Sequence, residues 1–124
     1  MLYGFPAKEH TIMTVHHYKT SGGKDLILEY IMDLSKPEII DGLSVLEYFE
    51  KGELEKLNIK PWQGKVWEVY FYKHNRIFYV VIEDSDVYML HACRKQKNKT
   101  EQPDSEVVIK RAKELGSALS KKII

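Results

Sequence analysis

Three different hydrophobic periods follow one another along the chain. Residues 11–18, TIMTVHHY, are rich in β-branched and aromatic side chains and are closed by the turn-forming run Ser21-Gly22-Gly23, which predicts a first strand. From Lys24 the spacing becomes helical. Ile27, Tyr30, Ile31 and Leu34 fall on one face and Asp25, Glu29 and Asp33 on the other, so residues 24–34 are predicted to form an amphipathic helix. Ser35, Pro37 and Glu38 then spell a helix start, with a capping serine, a proline that needs no amide partner and the acid of a capping box. The helix that follows is expected to bury Ile39, Leu43, Leu46 and Phe49, with Gly52 bending or interrupting it before a short continuation near Leu57. Two consecutive helices of this kind pair as a hairpin.

After a predicted loop at residues 60–64 (KPWQG), the period falls to two. Residues 65–72, 76–83 and 87–93 read as three strands, joined by connections short enough only for hairpins. In the middle strand Arg76 shares a face with Phe78, Val80 and Ile82, while Ile77, Tyr79 and Val81 point the other way, so the strand should be covered on both sides. Pro103 and Asp104 open a last helix in which Val108, Ala112, Leu115 and Leu119 keep helical spacing. The pattern is that of an α+β fold in the order β–α–α–β–β–β–α, with an antiparallel sheet core, a helical hairpin and a C-terminal helix.

The length of 124 residues accommodates one core, expected over residues 11–124, with residues 1–10 as a loose N-terminal extension and Met13 as an alternative start. No apolar run approaches the roughly 20 residues of a membrane span, and the first residues lack a signal-peptide pattern, so a cytoplasmic location is expected. The single cysteine, Cys93, sits in an apolar strand and reads as a buried, inert thiol.

Charge changes the picture more than composition does. Residues 24–59 carry four lysines against nine carboxylates, whereas residues 94–124 carry nine Lys or Arg against four. The second segment suits a polyanion or a solvated helix face. Zinc-protease, paired-cysteine, phosphate-loop and nucleophile-elbow motifs are absent, and adjacent His16 and His17 point to opposite sides of a strand, so neither a metal nor a cofactor is expected. The stretch His91 to Thr100 is different, because a strand ends there and Arg94, Lys95, Lys97 and Lys99 are gathered within six residues. Phosphate is the natural counter-charge for such a cluster.

Trp67-Glu68-Val69, Arg76-Ile77-Phe78-Tyr79, Met89-Leu90-His91-Ala92 and Arg94-Lys95-Gln96-Lys97, followed by Pro103 and a helix with Ile109-Lys110-Arg111-Ala112-Lys113, resemble phage-type HigB toxins of the RelE superfamily. The resemblance runs over residues 11–120, in family order and spacing. It implies a RelE-like fold and the toxin of a type II toxin–antitoxin pair, restrained by an antitoxin, often a helix-turn-helix protein of the HigA kind. The implied activity is metal-independent endoribonuclease cleavage of messenger RNA on the ribosome, in which the RNA's own 2′-hydroxyl attacks the neighbouring phosphate. That reaction needs a proton acceptor, a proton donor and cations at the phosphate. By resemblance, Arg76 is the phosphate-binding arginine, its place beside a turn leaving the guanidinium free; Lys95 and Lys97 occupy proton-transfer positions, with His91 a further acid or base. Arg94, Lys99, Lys60, Lys65 and Tyr70 are the expected RNA contacts. Tyr70 stands where the family commonly has arginine, offering stacking in its place. Glu68 is expected to pair with a neighbouring cation. The sequence also allows a non-catalytic, ParE-like toxin that binds DNA gyrase, or a decayed relative that only binds RNA or antitoxin.

Overall fold

A computed structural model of the chain describes residues 12–95 and 100–124. The elements in chain order are β1 (Thr14–His17), α1 (Leu26–Met32), α2 (Lys36–Glu50), β2 (Asn58–Gln63), β3 (Val66–Phe71), β4 (Asn75–Ile82), β5 (Asp86–Arg94) and α3 (Gln102–Leu119). The strands form one mixed sheet in the order β1-β5-β4-β3-β2. β1 runs parallel to β5, and the other pairs are antiparallel. This α+β arrangement is consistent with a RelE-like fold.

Both faces of the sheet are covered, as the two-sided pattern of β4 predicts. On one face Ile77 and Tyr79 pack with Ile27 and Ile31 of α1 and with Val45, Leu46 and Phe49 of α2. On the other, Phe78, Val80 and Ile82 pack with Val108 and Ala112 of α3 and with Ile123. Both β3–β4 and β4–β5 connections put two successive residues at positive φ, Tyr72-Lys73 and Glu83-Asp84, the twist that tight antiparallel hairpins require. As expected, a short 3-10 turn at Leu54–Lys56 continues the chain to Leu57, and Gly52 interrupts α2 before it. Its φ of 70° places the Gly52 amide on the Phe49 carbonyl and the Glu53 amide on that of Tyr48, a Schellman closure.

Three expectations change. Of the segment predicted as the loop 60–64, residues 60–63 lie within β2, an edge strand paired with β3, and only Gly64 belongs to a turn. Pro61 hid it from the periodicity, yet an edge is where a strand tolerates the missing N–H, and the register shifts between Pro61 and Gln63. The buried face of α2 is also rotated: Glu38, Gly42, Val45, Leu46 and Phe49 turn inward, while Leu43 is 40% exposed. Gly42 sits at the closest approach, where a Cβ would lie 3.0 Å from both Ile31 and Phe71 and would push those side chains back by a few tenths of an ångström. The Ser35 hydroxyl donates to the Glu38 carboxylate at 2.7 Å and caps no helix amide. Among the described residues no helix is long and apolar enough to cross a membrane. The expected extension at residues 1–10 lies outside the described residues.

Candidate nucleic-acid interface

The sheet registers gather the sequence-predicted residues into two adjacent cross-strand rows. Asn58, Tyr70, Arg76 and Cys93 are aligned across β2, β3, β4 and β5, and Lys60, Glu68, Phe78 and His91 are aligned beside them. Positions two apart on a strand share a face, so the two rows make one surface on the α3 side of the sheet. Tyr70 is its centre. The Lys60 ammonium lies 5.3 Å and the Lys95 ammonium 4.9 Å from the Tyr70 ring centroid, and the Tyr70 hydroxyl donates to Glu68 at 3.1 Å. The Tyr70 hydroxyl also pushes the Lys60 pKa up, which keeps that ammonium charged.

Beneath this surface Arg76 differs from its expected state. Its side chain is only 2% exposed, and the guanidinium is not free: Nη1 donates to Glu68 at 2.8 Å and to Thr100 Oγ1 at 3.3 Å. The reason is local, because β3–β4 pairing puts the carboxylate and the guanidinium on one buried face, where each charge must find the other. Burial works against the Arg76 charge, but Glu68 and the adjacent Cys93 more than offset it, so its pKa is raised. The Nε atom is buried without a hydrogen-bond partner among the described residues. Glu68 thus pairs with a neighbouring cation, as expected.

Thr100 was not legible as a site residue. Its hydroxyl accepts from Trp62 Nε1 at 2.9 Å as well as from Arg76, tying the segment after β5 to β2 and β4. A lone threonine after a basic run carries no sequence signal for such a role.

The remaining candidates do not join the cluster. Arg94 points to the opposite face, where Nη2 donates to Glu38 Oε2 at 3.1 Å, because the strand alternates and Lys95 takes the other side. Lys65 sits in the β2–β3 turn, five residues from Tyr70 and so roughly 16 Å along the strand, beside Trp67 and Asp84. His91 lies beyond Phe78, whose ring is 6.3 Å from the imidazole, and Nε2 bonds Asp104 at 2.8 Å. Burial lowers the His91 pKa against the pull of Asp104, so at neutral pH the imidazole is uncharged and Nε2 is the donor. Lys97 and Lys99 lie outside the described residues.

His91, Cys93 and Asp104 place ligand atoms within 4.8 Å of one another, the spacing a divalent metal needs. The chemistry opposes it: burial pushes the Cys93 thiol up to about 11, and the Arg76 charge stands beside it. Without a metal, the surface offers two ammoniums beside an aromatic ring, a set suited to phosphate and to a stacked base.

The family described as Phage derived protein Gp49-like (DUF891) matches residues 29–113, from α1 into α3 and across every described candidate. No curated protein matches the chain.

Proposed function

Because the chain belongs to the Gp49-like family of phage-derived proteins, RelE/ParE-type toxin-like proteins, we propose that it is a HigB-like toxin that cleaves messenger RNA on the ribosome. An antitoxin of the helix-turn-helix kind is its restraining partner. The observation that carries the nuclease reading is the convergence of the Lys60 and Lys95 ammoniums on the Tyr70 ring. A single-stranded message bound there puts a base on Tyr70 and a phosphate between the ammoniums. The 2′-hydroxyl attacks phosphorus, the P–O5′ bond breaks, and a 2′,3′-cyclic phosphate forms. One proton leaves the 2′-oxygen and one reaches the 5′-oxygen, and Lys95 and Lys97 are the groups proposed to carry them. Lys60 stabilises the extra negative charge on the pentacoordinate phosphorus. Arg76 acts through Glu68 and Thr100 as a positioning residue.

The closed Arg76–Glu68 pair favours a second reading, a toxin that binds its target without chemistry, as ParE-like proteins bind DNA gyrase. One experiment separates the two. The protein is expressed from an inducible promoter without its partner, and 5′ ends are mapped on translated messages. Cleavage inside codons, lost in a Lys60→Ala/Lys95→Ala variant, is the expected result; growth arrest with intact messages overturns the nuclease in favour of the binder.

A further inference from the structure

One oxygen atom, the Thr100 hydroxyl, joins β2 to β4. Oγ1 accepts from Trp62 Nε1 at 2.9 Å and from Arg76 Nη1 at 3.3 Å. A threonine hydroxyl has two lone pairs and one hydrogen, and these two N–H groups occupy both lone pairs. Neither neighbour can receive the hydrogen in return, because an indole N–H and a guanidinium are donors only. The Thr100 hydroxyl hydrogen therefore has no acceptor among the described residues. Its direction is also constrained. With both lone pairs engaged, the O–H bond turns away from Trp62 and from the buried Arg76, and Thr100 itself is half-buried, within reach of solvent.

We infer that Thr100 is a phosphate-binding residue of the candidate RNA surface, donating its hydroxyl hydrogen to one non-bridging phosphate oxygen. The assignment rests on the RNA reading proposed above. Charge selects the ligand. Arg76 is 2% exposed and held by Glu68, too deep to meet a phosphate itself. Its N–H nevertheless polarises the Thr100 oxygen, and a hydroxyl that accepts from a cation is a stronger donor to an anion. Position agrees with charge. Hydrogen bonds run from Trp62 to Thr100, Arg76, Glu68 and the Tyr70 hydroxyl, so Thr100 belongs to the network beneath the ring that Lys60 and Lys95 approach. Trp62 packs with Phe78 on the same α3 side of the sheet. The phosphate contact that the resemblance gives to Arg76 thus passes to Thr100, with Arg76 behind it as the positioning residue. The two kinds of contact differ in what they can distinguish. A lysine ammonium is a point charge on a flexible stem and does not choose between the two non-bridging oxygens of a phosphate. A hydroxyl fixed by two hydrogen bonds has one direction and chooses one of them.

The test uses the full chain and a short fluorescent uridine oligonucleotide, 2′-O-methylated so that it cannot be cut, with binding followed by anisotropy. Three strands are compared: all phosphate, all Rp phosphorothioate and all Sp phosphorothioate. Sulfur keeps the charge but is a poor hydrogen-bond acceptor, so one diastereomer should bind about tenfold more weakly than the phosphate strand, the equivalent of one lost hydrogen bond to a charged group. Thr100→Val should lower affinity for the phosphate strand by a similar factor and abolish the difference between diastereomers, and Thr100→Ser should restore both. A merely structural role would weaken all three strands alike. Lys60→Ala/Lys95→Ala should weaken all three while preserving the difference. Equal binding of the two diastereomers by the unaltered protein, a difference that persists in Thr100→Val, or one that vanishes with the lysines overturns the proposal. The first and last of these results do not depend on Thr100→Val folding. Lysine-dependent binding of the phosphate strand without any diastereomer preference overturns the role of Thr100 and leaves the RNA reading standing, whereas no saturable binding of any strand overturns both.

Discussion

Asn75 and Arg76 are consecutive residues of β4, both buried, and each anchors a polar network on its own side of the sheet. On the α1–α2 side the Asn75 amide donates to Glu38 at 2.7 Å and its oxygen accepts from Tyr30 at 2.6 Å; Ser35 and Arg94 complete the Glu38 carboxylate. Burial pushes the Tyr30 hydroxyl up to about 12, so it remains a donor at every pH of interest. On the α3 side Arg76 holds Glu68 and Thr100, but among the described residues its Nε has no hydrogen-bond partner and Lys60 and Lys95 form no ion pair. The first network is closed and reads as structure. The second carries surplus positive charge at its surface, the condition for receiving an anion.

The comparison breaks first at Arg76. Replacement by alanine strands the Glu68 carboxylate in a face that is 2% exposed, and removal of one partner of a buried ion pair costs about 3–5 kcal/mol. Denaturant unfolding of Arg76→Ala should show a loss of that size; a loss below ~1 kcal/mol would mean that the pair opens in solution and frees the guanidinium for RNA. An inactive Arg76→Ala protein is therefore no proof of phosphate binding. On the other face Asn75→Ala leaves Tyr30 and Glu38 each short of a partner, for an expected loss of about 2–3 kcal/mol. RNA affinity should be unchanged once the protein is folded, and a selective loss of RNA binding would erase the distinction between the faces.

How far these networks were legible follows from what each depends on. Periodicity carried the helices, the β3–β4–β5 meander and the two faces of β4, because burial imposes a period on local sequence. It missed β2, where a proline and a lysine occupy an edge with little burial to enforce alternation. The family resemblance, not periodicity, put Lys60 and Tyr70 among the RNA contacts and Lys95 at a proton-transfer position, and the structure brings the three together. Arg94 escaped for a different reason. A run of cations looks like one patch in sequence, but a strand sends neighbours to opposite faces, and only the position of Glu38 fixes what Arg94 meets. The Arg76–Glu68 pairing was legible as a possibility through strand register; that it buries the guanidinium depends on Trp62, Thr100 and α3, which are distant in sequence.

Acid should separate the faces by smaller effects. Hydrogen bonds from Asn75 and Ser35, with the charge of Arg94, hold Glu38 at about 2 against an ordinary 4.5. The native state therefore binds fewer protons than the unfolded chain in this range, so stability is full above 4.5 and drains as pH falls from 4.5 towards 2. His91 is depressed from 6.5 by burial, with Asp104 opposing, so its contribution to stability declines earlier, as pH falls through 6.5 to the lower folded value. Unfolding followed against pH should show both windows, with His91→Gln removing the upper one and Asn75→Ala moving the lower one upward. An upper window that survives His91→Gln assigns it to another group.

The smallest effect on stability is expected where the effect on RNA is largest. Lys60 and Lys95 are surface ammoniums whose fixed contacts are with the Tyr70 ring, so Lys60→Ala/Lys95→Ala should alter unfolding by no more than ~0.5 kcal/mol. If each lysine meets one phosphate, the slope of log affinity for single-stranded RNA against log salt should flatten by about 1.4, since each contact with a single strand releases ~0.7 of a counterion. Arg94→Ala provides the contrast within the same basic run. It should weaken the fold by leaving Glu38 with one cation fewer, while the salt slope stays where it was. A flattened slope in Arg94→Ala and an unchanged one in the double lysine variant would reverse the assignment of the two faces, because salt dependence counts the phosphates a surface neutralises and is insensitive to how well the protein behind that surface is packed.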